Sequence, residues 1–265
     1  MTPVSEEKSG QNHIQGLERG LAVLQAFDAD RPNPTATELA SATQLSRPVV
    51  RRVLLTLQRL GYVATSGGRW TLTPRVLSIG QHYTATDTLT ELAQPYLMNL
   101  AEQTGESATL ATLDGNEVVY IARVPVRRVL SITVAPGTRT VAHATSLGRV
   151  LLAWEPTKRI EQVITETGLP RLTAHTVTDP ATFRETLASV RRQGWSLVIS
   201  EREEGLISLS APIRDHNERV IAGVASSTST GRATPEGVRE DVLPVLLETA
   251  KQISTELGHR TEYGL

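Results

Sequence analysis

The sequence predicts an α+β protein of two domains, in which short helices and a strand hairpin precede a larger domain of antiparallel strands and helices. Three observations lead to this prediction. Apolar residues recur at helical spacing in the first sixty positions, a glycine pair marks a tight turn at Gly67 and Gly68, and strand-like segments begin after Gly105. The length of 265 residues suits two domains better than one.

The composition excludes several classes of protein. Hydrophobic residues make up 39% of the chain and charged residues 21%, which is typical of a soluble globular protein. No apolar segment approaches the roughly 20 residues that cross a bilayer, so no membrane partner is expected. The polar start of the chain lacks the pattern of a signal peptide. The chain has no cysteine, which excludes disulfides and thiolate metal sites.

The first helix is predicted over residues 15–27, after a disordered tail of residues 1–14. Its apolar stripe consists of Leu17, Leu21, Leu24 and Phe27, with Val23 beside them. Two prolines and an asparagine in residues 28–34 end this helix.

Two further helices follow closely. Thr35 and Glu38 form a capping-box pattern that opens a short helix ending at Ala42. Ser46 can cap the third helix, which ends at Gly61. One face of the third helix is apolar and contains Val50, Val53, Leu54, Leu57 and Leu60. The other face is polar and contains Arg47, Arg51, Arg52, Gln58 and Arg59.

Residues 62–73 predict a two-stranded hairpin, because Gly67 and Gly68 supply the positive φ angles that a tight turn needs. Three helices with short connections and a terminal hairpin form a winged helix-turn-helix over residues 15–73. Residues 74–89 then predict a helical linker with a Thr-rich joint between the domains at 84–90.

The charges are unevenly distributed, although the net charge is −1. No acidic residue lies between Glu38 and Asp87, whereas six arginines do, which leaves −7 for the rest of the chain. A basic segment in an otherwise acidic protein is typical of a module that binds a nucleic-acid backbone, and a solvated charged face is the alternative.

Double-stranded DNA is therefore the expected partner of the N-terminal domain. The second helix of a helix-turn-helix lies in the major groove, where the first residues of that helix reach base edges and an arginine can grip guanine O6 and N7 together. Arg52 and Arg59 suit phosphate contacts, and Arg69 suits the minor groove or the backbone. The residues predicted to contact DNA are Thr37, Ser46, Arg47, Pro48, Val49, Arg51, Arg52 and Arg69.

Residues 90–265 predict a second domain with helices gathered to one side of an antiparallel sheet, an α+β fold of the GAF or profilin-like kind. Its strands are expected at 107–113, 118–124, 130–135, 195–199, 206–213 and 220–227. Its helices are expected at 89–103, 145–154, 156–165, 181–193 and 235–257.

The second domain offers little for catalysis. The six histidines are isolated, and the sequence lacks a nucleophile elbow, a P-loop and a dinucleotide-binding motif, so no catalytic residue, metal or cofactor is expected. Residues 201–204 are interpreted as a solvated acidic loop rather than a catalytic carboxylate pair. Thr145 and Ser146, which follow His143, are interpreted as helix caps rather than nucleophiles.

Motifs in both domains resemble the IclR family of bacterial regulators over about residues 15–257. The motifs that carry the resemblance are 17–24, 51–57, 61–63, 72–77, 119–125, 136–139, 142–153 and 204–206. The chain is most similar to the branch that controls catabolism of aromatic acids through the protocatechuate, para-hydroxybenzoate and β-ketoadipate pathways.

The resemblance implies a homodimer or homotetramer on a palindromic operator, acting in the bacterial cytoplasm at the nucleoid. It also implies an effector cavity between the sheet and the start of the Thr145 helix. By position, its lining comprises Val129, Ile132, Thr140, Ser146, Leu147, Leu206, Ser208, Ala225 and Ser227. Amides at a helix start favour a carboxylate, so a small organic acid is expected. An aromatic acid is favoured because residues 198–200 lack an acidic side chain that many relatives carry there.

Three hypotheses follow for the function. The first is a ligand-responsive transcription regulator, which the hydroxyl and amide groups around Ser146 favour. The second is a constitutive DNA-binding oligomer whose C-terminal domain binds no ligand. The third is an enzyme with a DNA-binding appendage, which the lack of a nucleophile, metal or cofactor motif disfavours.

Overall fold

The computed structural model describes residues 13–28, 32–79, 88–126 and 135–259. The chain divides into two compact units, residues 1–86 and 87–265. Among the described helices, none combines the length and the apolar character that a membrane span requires.

The N-terminal unit is a winged helix-turn-helix, as predicted. It consists of α1 (Gln15–Gln25), α2 (Ala36–Thr43), α3 (Arg47–Arg59), β1 (Val63–Ser66), β2 (Arg69–Leu72) and a 3-10 turn (Pro74–Val76). The capping box forms at α2, where the Thr35 hydroxyl accepts from the Glu38 amide at 3.3 Å and the Glu38 carboxylate accepts from the Thr35 amide at 2.6 Å. Gln44 then turns the chain into α3 with φ +56°.

The core of this unit lies between α1, α2, α3 and the hairpin. It contains Val23, Leu39, Val50, Leu54, Leu57 and Trp70. The apolar stripe predicted along α1 divides in two. Leu24 and Phe27 pack against the core, whereas Leu17 and Leu21 are 60% and 45% exposed. The prediction that α1 reaches residue 27 was wrong by two residues.

The C-terminal unit contains a six-stranded antiparallel sheet with strand order β5-β4-β3-β8-β7-β6. Its strands are β3 (Ser107–Asp114), β4 (Glu117–Val124), β5 (Arg139–Val141), β6 (Ser196–Ile199), β7 (Leu206–Arg214) and β8 (Val220–Ser229). Its helices are α4 (Thr88–Thr104), α5 (Ser146–Ala153), α6 (Thr157–Thr167), α7 (Pro180–Gln193) and α8 (Leu243–Glu256).

Helices cover both faces of this sheet, so the prediction that they gather to one side was wrong. One face packs on α4 and α8 through Leu110, Val224 and Leu209. The other face packs on α5, which in turn contacts α7, through Ala111 and Ala225. Both faces are therefore buried, because successive residues of a strand point to opposite sides and both sets are apolar or small.

Most predicted elements of this unit are confirmed, with three differences. The edge strand β5 was not predicted. The closing helix is interrupted by a π-helical stretch at Val238–Val242 before α8 begins. The strand predicted at 130–135 falls outside the described residues except for its last residue, and residues 80–87 of the linker and joint fall outside them too.

Candidate DNA-binding surface and effector cavity

Helix α3 has a buried apolar side and an exposed basic side. Val50, Leu54 and Leu57 are buried, whereas Leu60 is exposed, so the apolar stripe ends one turn earlier than predicted. Ser46 occupies the N-cap position, but its side chain makes no capping hydrogen bond, so that part of the prediction was wrong. Its exposed hydroxyl stands at the start of the helix.

Three arginines project from the first turns of α3. Arg47, Arg51 and Arg52 are exposed, and no carboxylate of the described residues pairs with them. Arg47 and Arg51 lie one turn apart on the same side of the helix. Pro48 is exposed and Val49 is half-buried between them. The N-terminal end of α3 therefore presents unneutralised positive charge.

The other two predicted DNA contacts lie beside the wing. Thr37 is exposed in the first turn of α2. Arg69 begins β2, where its Nη1 donates to the Asn33 carbonyl at 2.8 Å and lies 3.8 Å from a Glu38 carboxylate oxygen. Arg69 thus ties the wing to the chain ahead of α2, and its contact with DNA stays a prediction.

A cavity lies in the C-terminal unit between the sheet and the first turn of α5. Six of the nine residues predicted for the effector line it: Ser146, Leu147, Leu206, Ser208, Ala225 and Ser227. Thr140 is buried in β5 and does not line the cavity. Val129 and Ile132 lie outside the described residues.

The floor of the cavity consists of small side chains on the face of the sheet that packs on α5. Ser107, Ser227, Ser208 and Val198 stand opposite one another across β3, β8, β7 and β6. The neighbouring row contains Arg123, Thr109 and Ala225 across β4, β3 and β8. It continues to Ser210 of β7, which is fully buried and does not line the cavity. Serine, threonine and alanine fill less volume than the branched residues usual in strands, which leaves room above the sheet.

Four serine hydroxyls form a continuous chain at one side of the cavity. Ser146 Oγ lies 2.5 Å from Ser210 Oγ and 2.8 Å from Ser208 Oγ, and Ser208 Oγ lies 3.0 Å from Ser227 Oγ. Residues from α5, β7 and β8 thus meet at one polar cluster. This cluster brings together Ser146 and Ser227, as the effector-site prediction requires.

Charged and phenolic groups that the sequence prediction missed also line the cavity: Tyr120, Arg123, Glu201 and Arg202. Burial raises the pKa of the Tyr120 phenol, while Arg202 and Arg123 act in the opposite direction. Burial has the opposite effect on Arg123 and lowers the pKa of its guanidinium, because the charged form of arginine is the protonated one. Both arginines are therefore close enough to Tyr120 to affect its ionisation.

Glu201 is 8% exposed, so the solvated-loop interpretation was wrong for this residue, although Glu203 and Glu204 are exposed. Its carboxylate accepts from Arg149 Nη2 at 2.5 Å and from the Val177 amide at 3.0 Å. Arg149 is only 3% exposed. The sequence did hold a signal for this pair, since a single arginine in the otherwise apolar α5 needs a buried partner.

The groups around the start of α5 have structural roles. The Thr145 hydroxyl accepts from the Gly148 amide at 3.0 Å, which confirms its capping role, whereas Ser146 bonds to the serine cluster instead. His143 Nε2 lies 3.0 Å from the Pro170 carbonyl, and burial is the main cause that lowers its pKa. No group of His, Asp and Glu suited to a metal ion occurs among the described residues.

A winged helix-turn-helix with a basic recognition helix, followed by a domain with a cavity that has hydroxyl, charged and apolar groups in its lining, defines a DNA-binding transcription regulator. The chain belongs to the IclR family. Residues 16–67 match the IclR helix-turn-helix domain, and residues 81–255 match the bacterial transcriptional regulator IclR C-terminal domain. Both are domains of regulators, and the chain is not an enzyme.

Characterised relatives cover most of the chain. The Pca regulon regulatory protein of Pseudomonas putida is 37% identical over 92% of this chain and 84% of its own length. The p-hydroxybenzoate hydroxylase transcriptional activator of Acinetobacter baylyi is 37% identical over 94% of each chain. A crystal structure of an IclR homologue from Microbacterium hydrocarbonoxydans complexed with 4-hydroxybenzoate has a TM-score of 0.79 and 27% identity, covering 91% of this chain and 98% of that one.

Proposed function

We propose that this protein binds a palindromic operator through the N-terminal end of α3, and that an aromatic acid in the cavity of the C-terminal unit controls this binding. The regulated genes are those of aromatic-acid catabolism, and the protein acts at the bacterial nucleoid. The observation that carries the proposal is the cavity itself, in which a serine cluster, a phenol and two guanidinium groups surround a floor of small side chains.

The exposed groups of α3 divide into two roles. Arg47 and Arg51, with Ser46, Pro48 and Val49 around them, read base edges, because they stand at the helix end that enters the groove. Arg52, with Arg59 further along, binds phosphates, and Thr37 at the start of α2 adds a backbone contact.

A palindromic operator requires two copies of the helix, so the active form is a homodimer or homotetramer. Ile14, Leu17 and Leu21 support this, because the three apolar side chains at α1 are exposed within the unit. Large apolar groups that remain exposed together mark protein–protein contacts.

The relatives support an aromatic effector. Two of them are regulators of the Pca regulon and of p-hydroxybenzoate hydroxylase, and one solved homologue holds 4-hydroxybenzoate. The chemistry of the cavity agrees with such a ligand, since guanidinium groups bind carboxylates and hydroxyls bind a phenolic group.

Thermal unfolding of the full chain with a panel of acids tests the effector. The panel contains protocatechuate, 4-hydroxybenzoate, β-ketoadipate, muconate, pyruvate and glyoxylate. A ligand that binds only the folded state stabilises it by about 2.7 kcal/mol at a hundredfold excess over Kd. We expect a selective shift with one aromatic acid, together with a change in operator affinity in a gel-shift titration. No shift with any acid would instead indicate the constitutive DNA-binding oligomer.

A further inference from the structure

One wall of the cavity depends on a glycine that lies behind it. Leu147 of α5 lines the cavity and is 3% exposed. A Cβ atom built at Gly223 of β8 would lie 2.9 Å from Leu147 Cδ2, well inside the separation of about 3.5–4.0 Å that is optimal for two carbon atoms. The Leu147 side chain therefore occupies the space that any other residue at position 223 would fill.

The backbone conformation at Gly223 does not explain why a glycine stands there. Gly223 lies within β8, opposite Ala111 of β3 and Pro212 of β7, and its φ is outside the left-handed region. A glycine inside a strand weakens the strand, and often marks a place where another group approaches closely. The group that approaches here is the side chain of Leu147.

The first turn of α5 is held in place by contacts with both its neighbours. A Cβ atom at Gly148 would overlap the Ala142 carbonyl oxygen, so this turn packs directly against the backbone that precedes it. The Thr145 hydroxyl accepts from the Gly148 amide at 3.0 Å, and Ser146 Oγ lies 2.5 Å from Ser210 Oγ of β7. The helix cannot rise from the sheet without breaking these contacts, so the side chain of residue 147 must move instead.

A Leu147 side chain that is displaced from Gly223 moves toward the cavity. The other surroundings of position 223 are filled, because Val150 of α5 and Ala111 of β3 are fully buried in the same apolar cluster. The cavity lies at the first turn of α5, where Leu147 is already part of its lining. The displaced methyl groups would therefore enter the cavity and reduce the space for a ligand.

We propose that Gly223 is a positioning residue for the effector: it lets Leu147 lie on the sheet, and this sets how large an aromatic acid the cavity accepts. The inference rests on the proposed function, because it assumes that an aromatic acid occupies the cavity. Selection for ligand size thus depends on a residue that does not itself line the cavity.

Isothermal titration calorimetry of the full chain with 4-hydroxybenzoate and protocatechuate tests this inference. The four proteins are the wild type, Gly223→Ala, Leu147→Val and the double variant. Gly223→Ala should weaken the acid that the wild type binds by about tenfold or more, which is the lower end of what one methylene is worth in an apolar pocket. Leu147→Val removes the Cδ atoms, so it should restore binding by about tenfold in the Gly223→Ala background, whereas in the wild-type background it should not tighten binding.

Gly231→Ala is the matched control. A Cβ atom at Gly231 meets no atom of the described residues within 4 Å, and Gly231 lies outside both the cavity lining and the left-handed region. This variant should alter neither affinity. Thermal unfolding without ligand gives a second readout, since Gly223→Ala should lower Tm more in the wild type than in the Leu147→Val variant. Should Gly223→Ala fail to fold, the double variant decides, because it should fold and bind the acid.

The inference is overturned, and the proposed function stands, if Gly223→Ala leaves the affinity unchanged or weakens it equally with and without Leu147→Val. A double variant that does not fold would overturn it too, because the Leu147 side chain would then not be the group that gives way. If the wild-type chain binds neither acid, the proposed function itself is refuted, and the inference with it.

Discussion

Replacing Glu201 by alanine leaves the Arg149 guanidinium buried without its counter-ion, at a site where Arg149 is 3% exposed. Removing one partner of a buried ion pair costs about 3–5 kcal/mol of folding free energy. For a unit of this size, such a loss lowers Tm by about 6–20 °C. The exposed neighbour Glu203 serves as a control, since Glu203→Ala should change stability by less than about 0.5 kcal/mol.

The double variant Arg149→Met/Glu201→Leu separates the ion pair from the remaining contacts. It should be less destabilised than Glu201→Ala, because apolar residues can replace a buried pair at little cost. A loss of about 1–3 kcal/mol should remain, since the Val177 amide loses its acceptor. Urea unfolding in a Trp70→Phe background reports on the C-terminal unit through Trp154 and Trp195. Two results would contradict the claim that Arg149 and Glu201 form a desolvated ion pair. One is a loss below about 1 kcal/mol for Glu201→Ala, and the other is a double variant that is no more stable than Glu201→Ala.

Three further predictions concern DNA binding, pH and a helix cap. Arg47→Ala and Arg51→Ala should each weaken operator binding by about 1–3 kcal/mol, or roughly 5- to 150-fold, in a gel-shift titration. The control Arg192→Ala should leave the affinity unchanged. Unchanged affinity in both α3 variants would mean that α3 does not read the operator. Burial lowers the pKa of His143 in the folded state below its unfolded value of about 6.5. The folded protein is therefore most stable above pH 6.5, where His143 is neutral in both states, and it loses stability as the pH falls below that value. Compared with His143→Gln, the wild type should lose up to about 1.4 kcal/mol more per pH unit there, and parallel urea midpoints at all pH values would contradict this. Thr35→Ala should cost about 1 kcal/mol in the unfolding of the N-terminal unit, and no change would mean that the capping box adds nothing.

The elements that could be predicted from the sequence are those fixed by local chemistry. The capping box at Thr35 and the turn at Gly67 and Gly68 depend on a few adjacent residues, and the structure confirms them. Strand β5 could not be found in this way, because it has three residues and is held by pairing with β4 at the sheet edge.

Most of the serine cluster could be predicted from the sequence, whereas the charged residues that line the cavity could not. The resemblance to the IclR family supplied Ser146, Ser208 and Ser227, which the structure brings together. Arg123 was missed because the bulge at residue 121 reverses its facing, and a bulge leaves no mark in the simple alternation of a strand. Glu201 was missed because its partner Arg149 is 52 positions away in sequence.

The two sets of residues in each central strand serve separate purposes. In β8, Ala222 and Val224 point into the core beneath α4 and α8, whereas Ala225 and Ser227 face the cavity. Selection for a new ligand can therefore change the size or polarity of the cavity-facing positions without altering the packing on the reverse side. In an engineered sensor built on this sheet, cavity-facing positions such as Ser227 can be varied apart from the core residues beneath α4 and α8, whereas Ala225 also packs on α5.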